Sequence, residues 1–130
     1  GWREPAVALD AHVVGHDPTR QLTHIAAGAL HLEVPTVEAP PGSIVRVQLA
    51  AREVILASRR PEGLSLRNTL EARVVAVEDA THPALRLVHL AVGETRLLSL
   101  VTADAARDLA LEPGKPILAL VKAVAIGAFA

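Results

Sequence analysis

The sequence predicts an all-β protein made of two related halves, with one short α-helix in the second half. Apolar blocks rich in Val, Ile and Leu recur along 130 residues, and Pro, Gly and Asp separate them at intervals of about ten residues. Such spacing is typical of small antiparallel β folds. The chain is 51% hydrophobic, which is enough apolar material for a buried core and argues against intrinsic disorder.

Each half contains four predicted strands joined by short turns. In the first half, apolar runs predict strands over 6–16, 21–27, 29–34 and 43–57. In the second half they predict strands over 70–79, 84–92, 95–102 and 116–126. Gly28 and the pair Gly93 and Glu94 separate adjoining strands, so we expect a residue at positive φ to close a β-hairpin at each place.

One segment of the second half differs in composition from the strands around it. Residues 103–109 are rich in Ala, Thr102 precedes them as a candidate N-cap, and Arg107 lies in the last turn. This pattern predicts a short α-helix.

The two halves resemble one unit that occurs twice. Three stretches parallel each other at offsets of 61, 65 and 72 residues: those that begin at Asp10 and Glu71, at Ile25 and Leu90, and at Pro41 and Pro113. The offset grows because only the second copy contains the predicted helix. The sequence therefore predicts two domains from a divergent tandem duplication, 1–60 and 61–130, joined through the linker-like segment 59–63.

Composition excludes several classes of protein. No Cys is present, so a disulfide framework, a thiol nucleophile and an iron–sulfur site are excluded. The net charge is −1 and Trp2 and Phe129 are the only aromatic residues, so we expect no nucleic-acid partner. The apolar run 116–130 contains Lys122 and is shorter than the ~20 residues of a membrane-spanning helix, so we expect no direct membrane insertion. The absence of Met predicts a processed product or a fragment.

The sequence carries no recognisable catalytic motif. It has no G-x-S-x-G, Walker A or dinucleotide-binding fingerprint, and its carboxylates form no obvious pair. The six His residues have no consistent ligand spacing, and His12 and His16 would lie roughly 13 Å apart on one face of a strand. We therefore expect no catalytic residues, no metal centre and no ATP site in this chain.

Three parts of the second half are candidates for binding an anion. Ser65, Leu66 and Arg67 precede a predicted strand, where a hydroxyl, backbone N–H groups and a guanidinium suit a tetrahedral oxyanion. Thr102 starts the predicted helix, whose N-terminal amides favour an anion. Lys122 lies within the apolar last strand, where a buried charge needs an anionic partner. The plain alternatives are a strand-entry turn at 65–68 and a Lys122 side chain that points outward.

These residues also occur in the order of a known family's motifs. Residues 65–68, 100–102, 108–114 and 120–124 resemble the S-x-R-N, I-T, L-x-L-x-x-G and I-K-[AS] motifs of the Mop (TOBE-type) molybdate-binding domain. The resemblance covers about residues 64–127 in full order. With similar phrases at 30–35 and 46–54, the whole chain looks most like the C-terminal tandem Mop region of the ATP-binding subunit of a molybdate ABC transporter.

The resemblance implies a fold, a ligand and partners. The fold is a pair of tandem OB-like five-stranded antiparallel β-barrels that form a homodimer and bind molybdate or tungstate between barrels. The residues implied to surround the oxyanion are Ser65, Leu66, Arg67, Thr102, Lys122 and Ala123. Molybdenum would be present only as part of the oxyanion and not as a metal ion bound directly by side chains. The implied role is a cytoplasmic regulatory and dimerisation domain that follows an ATPase domain missing from this chain. That ATPase domain would contact the membrane permease subunits and so place the protein at the inner membrane periphery.

Departures from the motifs bear on ligand binding. Ala105 and Ala123 occupy positions where the family often has Ser, so two hydroxyl donors are missing. The first copy has no S-x-R-N, and Ala50 matches Lys122, so we expect no site built from residues 6–60 alone. The alternatives are a structural dimerisation module without ligand, a stand-alone molybdate storage or sensor protein, and a tandem region behind a DNA-binding domain.

Overall fold

The apolar blocks fold into strands close to the predicted ones. The computed structural model describes residues 4–130, and Trp2 lies outside them. Within this range the strands are β1 (Ala6–Asp17), β2 (Leu22–Ala27), β3 (Leu30–Pro35), β4 (Ile44–Ala50), β5 (Ile55–Ala57), β6 (Asn68–Asp79), β7 (Leu85–Val92), β8 (Thr95–Thr102), β9 (Pro116–Val121) and β10 (Gly127–Phe129). One helix, α1 (Ala103–Asp108), lies in the second half. The all-β class with one short helix is confirmed.

Two antiparallel sheets of five strands each exchange their last strands. The first sheet has the order β10-β4-β1-β2-β3, and the second has the order β5-β9-β6-β7-β8. Each sheet thus contains four strands of one half and one short strand of the other, since β5 pairs with β9 and β10 pairs with β4. The exchanged strands cross the predicted boundary between residues 60 and 61. Closure into barrels and the division into domains 1–60 and 61–130 stay predictions.

The backbone hydrogen bonds repeat the offsets found in the sequence. β1 contains a bulge directly after Val13, and β6 contains one directly after Val74. The N–H of Val13 donates to the carbonyl of Ser43 at 2.9 Å, and the N–H of Val74 donates to the carbonyl of Lys115 at 2.9 Å. These matching residues are 61 and 72 positions apart, as the sequence predicts. The duplication is therefore visible in the backbone.

Two predicted strands are interrupted by 3₁₀ turns. The predicted strand 43–57 divides into β4 and β5 around the turn Ala51–Glu53. The predicted strand 116–126 ends with β9 before the turn Ala123–Ala125. In both turns the N–H of the following residue donates to the carbonyl of the first turn residue at 3.2 Å. The chain leaves one sheet at each turn and enters the other, and hydrophobic periodicity alone carries no signal for that change.

This interruption corrects the position of Lys122. We predicted it inside the last strand, but it lies between β9 and the turn Ala123–Ala125, and it is exposed. Its carbonyl accepts the N–H of Ala125 at 3.0 Å, which helps to form the turn. Because its ammonium group is in solvent, Lys122 does not need a buried counter-charge.

The predicted positive φ values at the hairpin glycines and the predicted N-cap of the helix are confirmed. Gly28 and Gly93 have φ values of +59° and +60°, and each is the first residue of a two-residue hairpin loop. Positive φ at this position alone is the pattern of a type II′ turn. Thr102 caps α1, since its Oγ1 accepts the N–H of Ala105 at 3.0 Å.

An aliphatic core cluster draws on strands of both sheets. Its fully buried members include Val13, Ile25, Leu30, Leu49, Val74, Val88, Leu90 and Leu97. Phe129 is 55% exposed and contributes no ring to this cluster. The two halves therefore share buried aliphatic surface in addition to the exchanged strands.

Candidate anion-binding site

Five of the six candidate residues lie at one end of a single strand pair. Asn68 and Val121 form the last register pair of β6 and β9. Ser65, Leu66 and Arg67 directly precede that pair, while Lys122 and Ala123 directly follow it. The antiparallel pairing thus brings the S-x-R-N segment and the Lys122 segment to the same end of the second sheet.

Thr102 lies at the other end of this sheet. It ends β8 opposite Leu85, whereas Arg73 on β6 is opposite Ala91 on β7. The route from Thr102 to Arg67 therefore runs along β7 from Leu85 to Ala91 and then along β6 from Arg73 to Arg67. At roughly 3.3 Å per residue, these two stretches together measure about 40 Å along the strands. By register, Thr102 and the two cations therefore lie at opposite ends of the second sheet, and no hydrogen bond among residues 4–130 joins Thr102 to Arg67 or Lys122.

The charges of Arg67 and Lys122 are uncompensated. Among residues 4–130, neither side chain has a carboxylate oxygen within 4.0 Å, in contrast to Arg20, Arg46 and Arg86. Both residues are exposed, and the guanidinium of Arg67 donates only to the adjacent Leu66 carbonyl, at 3.2 Å. Two like charges at one strand end repel each other, and an anion between them would be attracted by both.

The equivalent end of the first sheet has a different charge pattern. The offsets of 61 and 72 residues align Ala6 with Arg67 and Ala50 with Lys122, and Ala6 pairs directly with Ala50. The prediction that Ala50 matches Lys122 is confirmed by this register. Nearby, Glu4 accepts a hydrogen bond from the guanidinium of Arg52. At this strand end of the first half, the positive charge of Arg52 is therefore paired with a carboxylate, whereas the charges of Arg67 and Lys122 are not.

Asn68 is a residue of the site region whose side-chain role we did not predict. It is 4% exposed, and its carboxamide binds one residue of β3: Oδ1 accepts the N–H of Glu33 at 2.7 Å, and Nδ2 donates to the Glu33 carbonyl at 2.9 Å. The Glu33 carboxylate in turn accepts two hydrogen bonds from Arg20, which raise the pKa of that guanidinium. The S-x-R-N motif pointed to Asn68 in the sequence. A motif does not reveal, however, which group a buried side-chain amide binds in the folded protein.

The helix terminus offers less to an anion than the sequence suggested. α1 has six residues, and the Oγ1 of Thr102 already accepts the N–H of Ala105. This bond occupies one of the N-terminal amides that we expected to face an anion. The hydroxyl hydrogen of Thr102 is one donor that remains available for an oxyanion.

Five of the six histidines lie within hydrogen-bonding distance of other protein groups. His16 contacts Thr23 Oγ1 at 2.8 Å, and the Nε2 of His24 lies 3.0 Å from the Nδ1 of His31. His89 lies 2.7 Å from a Glu78 carboxylate oxygen. Within residues 4–130 no group of three or more His, Asp or Glu side chains is arranged to hold a metal ion.

A comparison with known protein families places the cationic segment in a family. Residues 64–127, which include both Arg67 and Lys122, match the TOBE domain. Residues 64–127 of this chain therefore form a TOBE domain. The predicted resemblance to a TOBE-type domain is confirmed, and the match is to this domain and not to a catalytic one.

The TOBE chain is also similar to part of longer proteins. It is 36% identical over 126 residues to the molybdenum import ATP-binding protein ModC of Rhizobium meliloti (strain 1021), covering 97% of this chain and 35% of that protein. It is 41% identical over 120 residues to ModC of Thiobacillus denitrificans (strain ATCC 25259 / T1), covering 92% of this chain and 33% of that protein. The chain thus spans about a third of the length of these relatives.

A solved structure shares the whole fold. The cytoplasmic molybdate-binding protein ModG, in a crystal form with molybdate bound, superposes with a TM-score of 0.80 at 23% identity. The alignment covers 95% of this chain and 94% of that chain. The likeness confirms the architecture of both sheets. In the described residues 4–130, no helix is long and apolar enough to cross a membrane.

Proposed function

We propose that this TOBE chain binds molybdate or tungstate at the strand end that carries Arg67 and Lys122. The observation that carries the proposal is the pair of uncompensated cations that lie together at one strand end, directly beyond the Asn68–Val121 register pair. The names of the ModC relatives and the molybdate bound to ModG support the identity of the anion.

The chemistry of the strand end suits a tetrahedral dianion. Arg67 offers a fork of N–H donors, and Lys122 offers a second positive charge. The hydroxyl of Ser65 and the backbone N–H groups of Leu66 and Ala123 would donate to the remaining oxygen atoms. Fixed donors together with opposite charge offset the loss of water around the anion.

The shell would be completed by a second copy of the chain. Thr102 belongs to the implied shell but lies at the opposite end of its own sheet. A homodimer would let Thr102 of one protomer approach Arg67 and Lys122 of its partner. Anion binding would then favour one arrangement of the dimer over another. The resulting shift in free energy cannot exceed the difference in anion-binding free energy between the two arrangements.

The transporter context is part of the same proposal. The chain would follow an ATPase domain of a molybdate-import ABC transporter and regulate it. ATP would bind to that domain and not to this chain. The whole protein would lie in the cytoplasm, peripheral to the inner membrane, and contact the permease subunits through the ATPase domain.

Calorimetric titration of the purified chain with molybdate, tungstate and sulfate tests the binding. We expect heat with the first two anions, and we expect Arg67→Ala and Lys122→Ala each to weaken the affinity by about tenfold or more, since each removes a charge-assisted contact. Arg96→Ala is the matched control, because Arg96 is another exposed cation without a carboxylate within 4.0 Å among residues 4–130.

The titration also separates the alternatives. A structural dimerisation module predicts a stable dimer whose melting temperature is unchanged by all three anions, and that result would overturn the binding proposal. A stand-alone molybdate-binding protein is favoured by the 94% coverage of ModG. The reading frame upstream of Gly1 decides between that role and a transporter subunit, because only the subunit has an ATPase domain there.

A further inference from the structure

Asn68 joins the candidate site to the other sheet. It is the first residue of β6 and directly follows Arg67, while its register partner Val121 directly precedes Lys122. Its carboxamide binds both the N–H and the carbonyl of Glu33 on β3, which is the edge strand of the first sheet. One buried side chain therefore connects the strand end that carries both cations to the opposite sheet.

The two bonds extend the hydrogen bonding of the first sheet at its open edge, β3. Edge strands present N–H and carbonyl groups that lack a neighbouring strand. The Asn68 amide satisfies one such N–H and one such carbonyl, both on Glu33. Because a carboxamide is planar and holds its N–H donors and its oxygen acceptor in a fixed geometry, the two bonds to one residue set the position of the β6 end relative to β3.

The first half lacks this connection. The offset of 61 residues aligns Val7 with Asn68, and Val7 pairs with Leu49 just as Asn68 pairs with Val121. A valine side chain can form neither hydrogen bond. The amide and the two cations of this strand end thus occur together in the second half, and both are missing at the aligned positions of the first half.

We infer that Asn68 is a positioning residue that holds Arg67 and Lys122 in the arrangement needed to bind the oxyanion. The inference rests on the proposed function and extends it to a residue that does not itself touch the anion. Without the two bonds to Glu33, the end of β6 loses its hydrogen-bonded link to β3, and restoring its order must accompany each binding event.

Asn68→Val, which introduces the residue of the first half, tests the inference on the complete chain. Ser99→Ala is the matched control, because the fully buried Ser99 hydroxyl also joins the two halves, donating to the Val54 carbonyl at 2.6 Å. We expect Asn68→Val to weaken molybdate binding by about tenfold or more, and Ser99→Ala to change it by less than about twofold. Amide exchange at Arg67 and Ala123 should accelerate in Asn68→Val only.

The outcomes separate this inference from the proposed function. If the unmodified chain binds no oxyanion, the proposed function fails, and with it the positioning role toward an anion. If the chain binds molybdate and a folded Asn68→Val variant binds equally well with unchanged amide exchange, only the positioning role fails. An equal loss of affinity in Ser99→Ala would also overturn it, since general stability would then explain both losses. Asn68→Ser, a smaller polar replacement, serves if the valine variant does not fold.

Discussion

Two aligned positions distinguish the equivalent strand ends of the two halves in charge. Ala6 and Ala50 occupy them in the first half, and Arg67 and Lys122 occupy them in the second. The cations were predictable from sequence because charged residues that adjoin apolar strands stand out in composition. The distance of Thr102 from them was not predictable, since the order of motifs along a chain does not reveal at which end of a sheet each strand stops.

Thr102 has a measurable structural role apart from any contact with a ligand. We expect Thr102→Ala to lower the free energy of unfolding by about 1 kcal/mol, because the N-cap bond to Ala105 is lost. Thr102→Asp should keep the cap and the stability, yet weaken molybdate binding through like-charge repulsion. Denaturant unfolding and calorimetry of both variants check this. If Thr102→Asp binds as tightly as the unmodified chain, Thr102 is a cap and not part of the shell.

At the scale of elements, local signals predicted the hairpins, most of the strands and the capped helix, but not the bulges after Val13 and Val74. Gly28 and Gly93 marked two turns because few other residues adopt positive φ. The turns Ala51–Glu53 and Ala123–Ala125 carried no such signal, since neither contains Gly or Pro. Their position depends on which sheet the next strand joins, and that is a property of tertiary structure.

The two hairpin glycines should differ in their tolerance of a side chain. Both have φ near +60°, so Ala at either place is expected to lose about 1–2 kcal/mol of stability. A Cβ on Gly93 would also lie 2.7 Å from the Cβ of Ala29, whereas a Cβ on Gly28 meets only Thr95 Oγ1 at 3.8 Å. Gly93→Ala should therefore destabilise the protein by about 1 kcal/mol more than Gly28→Ala in denaturant unfolding.

An additional variant isolates the steric part of this difference. In an Ala29→Gly background the nearest atom to the new side chain is removed. There the effect of Gly93→Ala should fall to that of Gly28→Ala. If the two glycine variants already unfold at the same denaturant concentration, the contact between the hairpin turns has no influence on stability.

At the scale of the whole molecule, the exchange of β5 and β10 makes the halves interdependent. A fragment of residues 61–130 lacks β5, which leaves an edge of β9 open, and its β10 has no β4 to pair with. We expect this fragment to aggregate or to stay unfolded, while residues 4–130 fold cooperatively. Circular dichroism and size-exclusion chromatography check this, and an independently folded monomeric fragment 61–130 would contradict it.

A longer fragment provides the control for that experiment. Residues 54–130 retain β5 and can complete the second sheet, although β10 remains without its partner. Its stability should lie between those of the two other chains. Mixing fragment 61–130 with a fragment of residues 4–60 should restore the native spectrum, because together they contain every strand.

The exchanged strands also bear on how a duplicated gene can change over time. The first half lacks the cations of the candidate site, so those two positions give it no direct part in anion binding. However, this half supplies β5 to the second sheet and receives β10 in return. A deletion of either repeat would remove a paired strand from the remaining repeat and leave a sheet edge open. The copy without the cations then persists as scaffold, and its surface can diverge while its strands cannot.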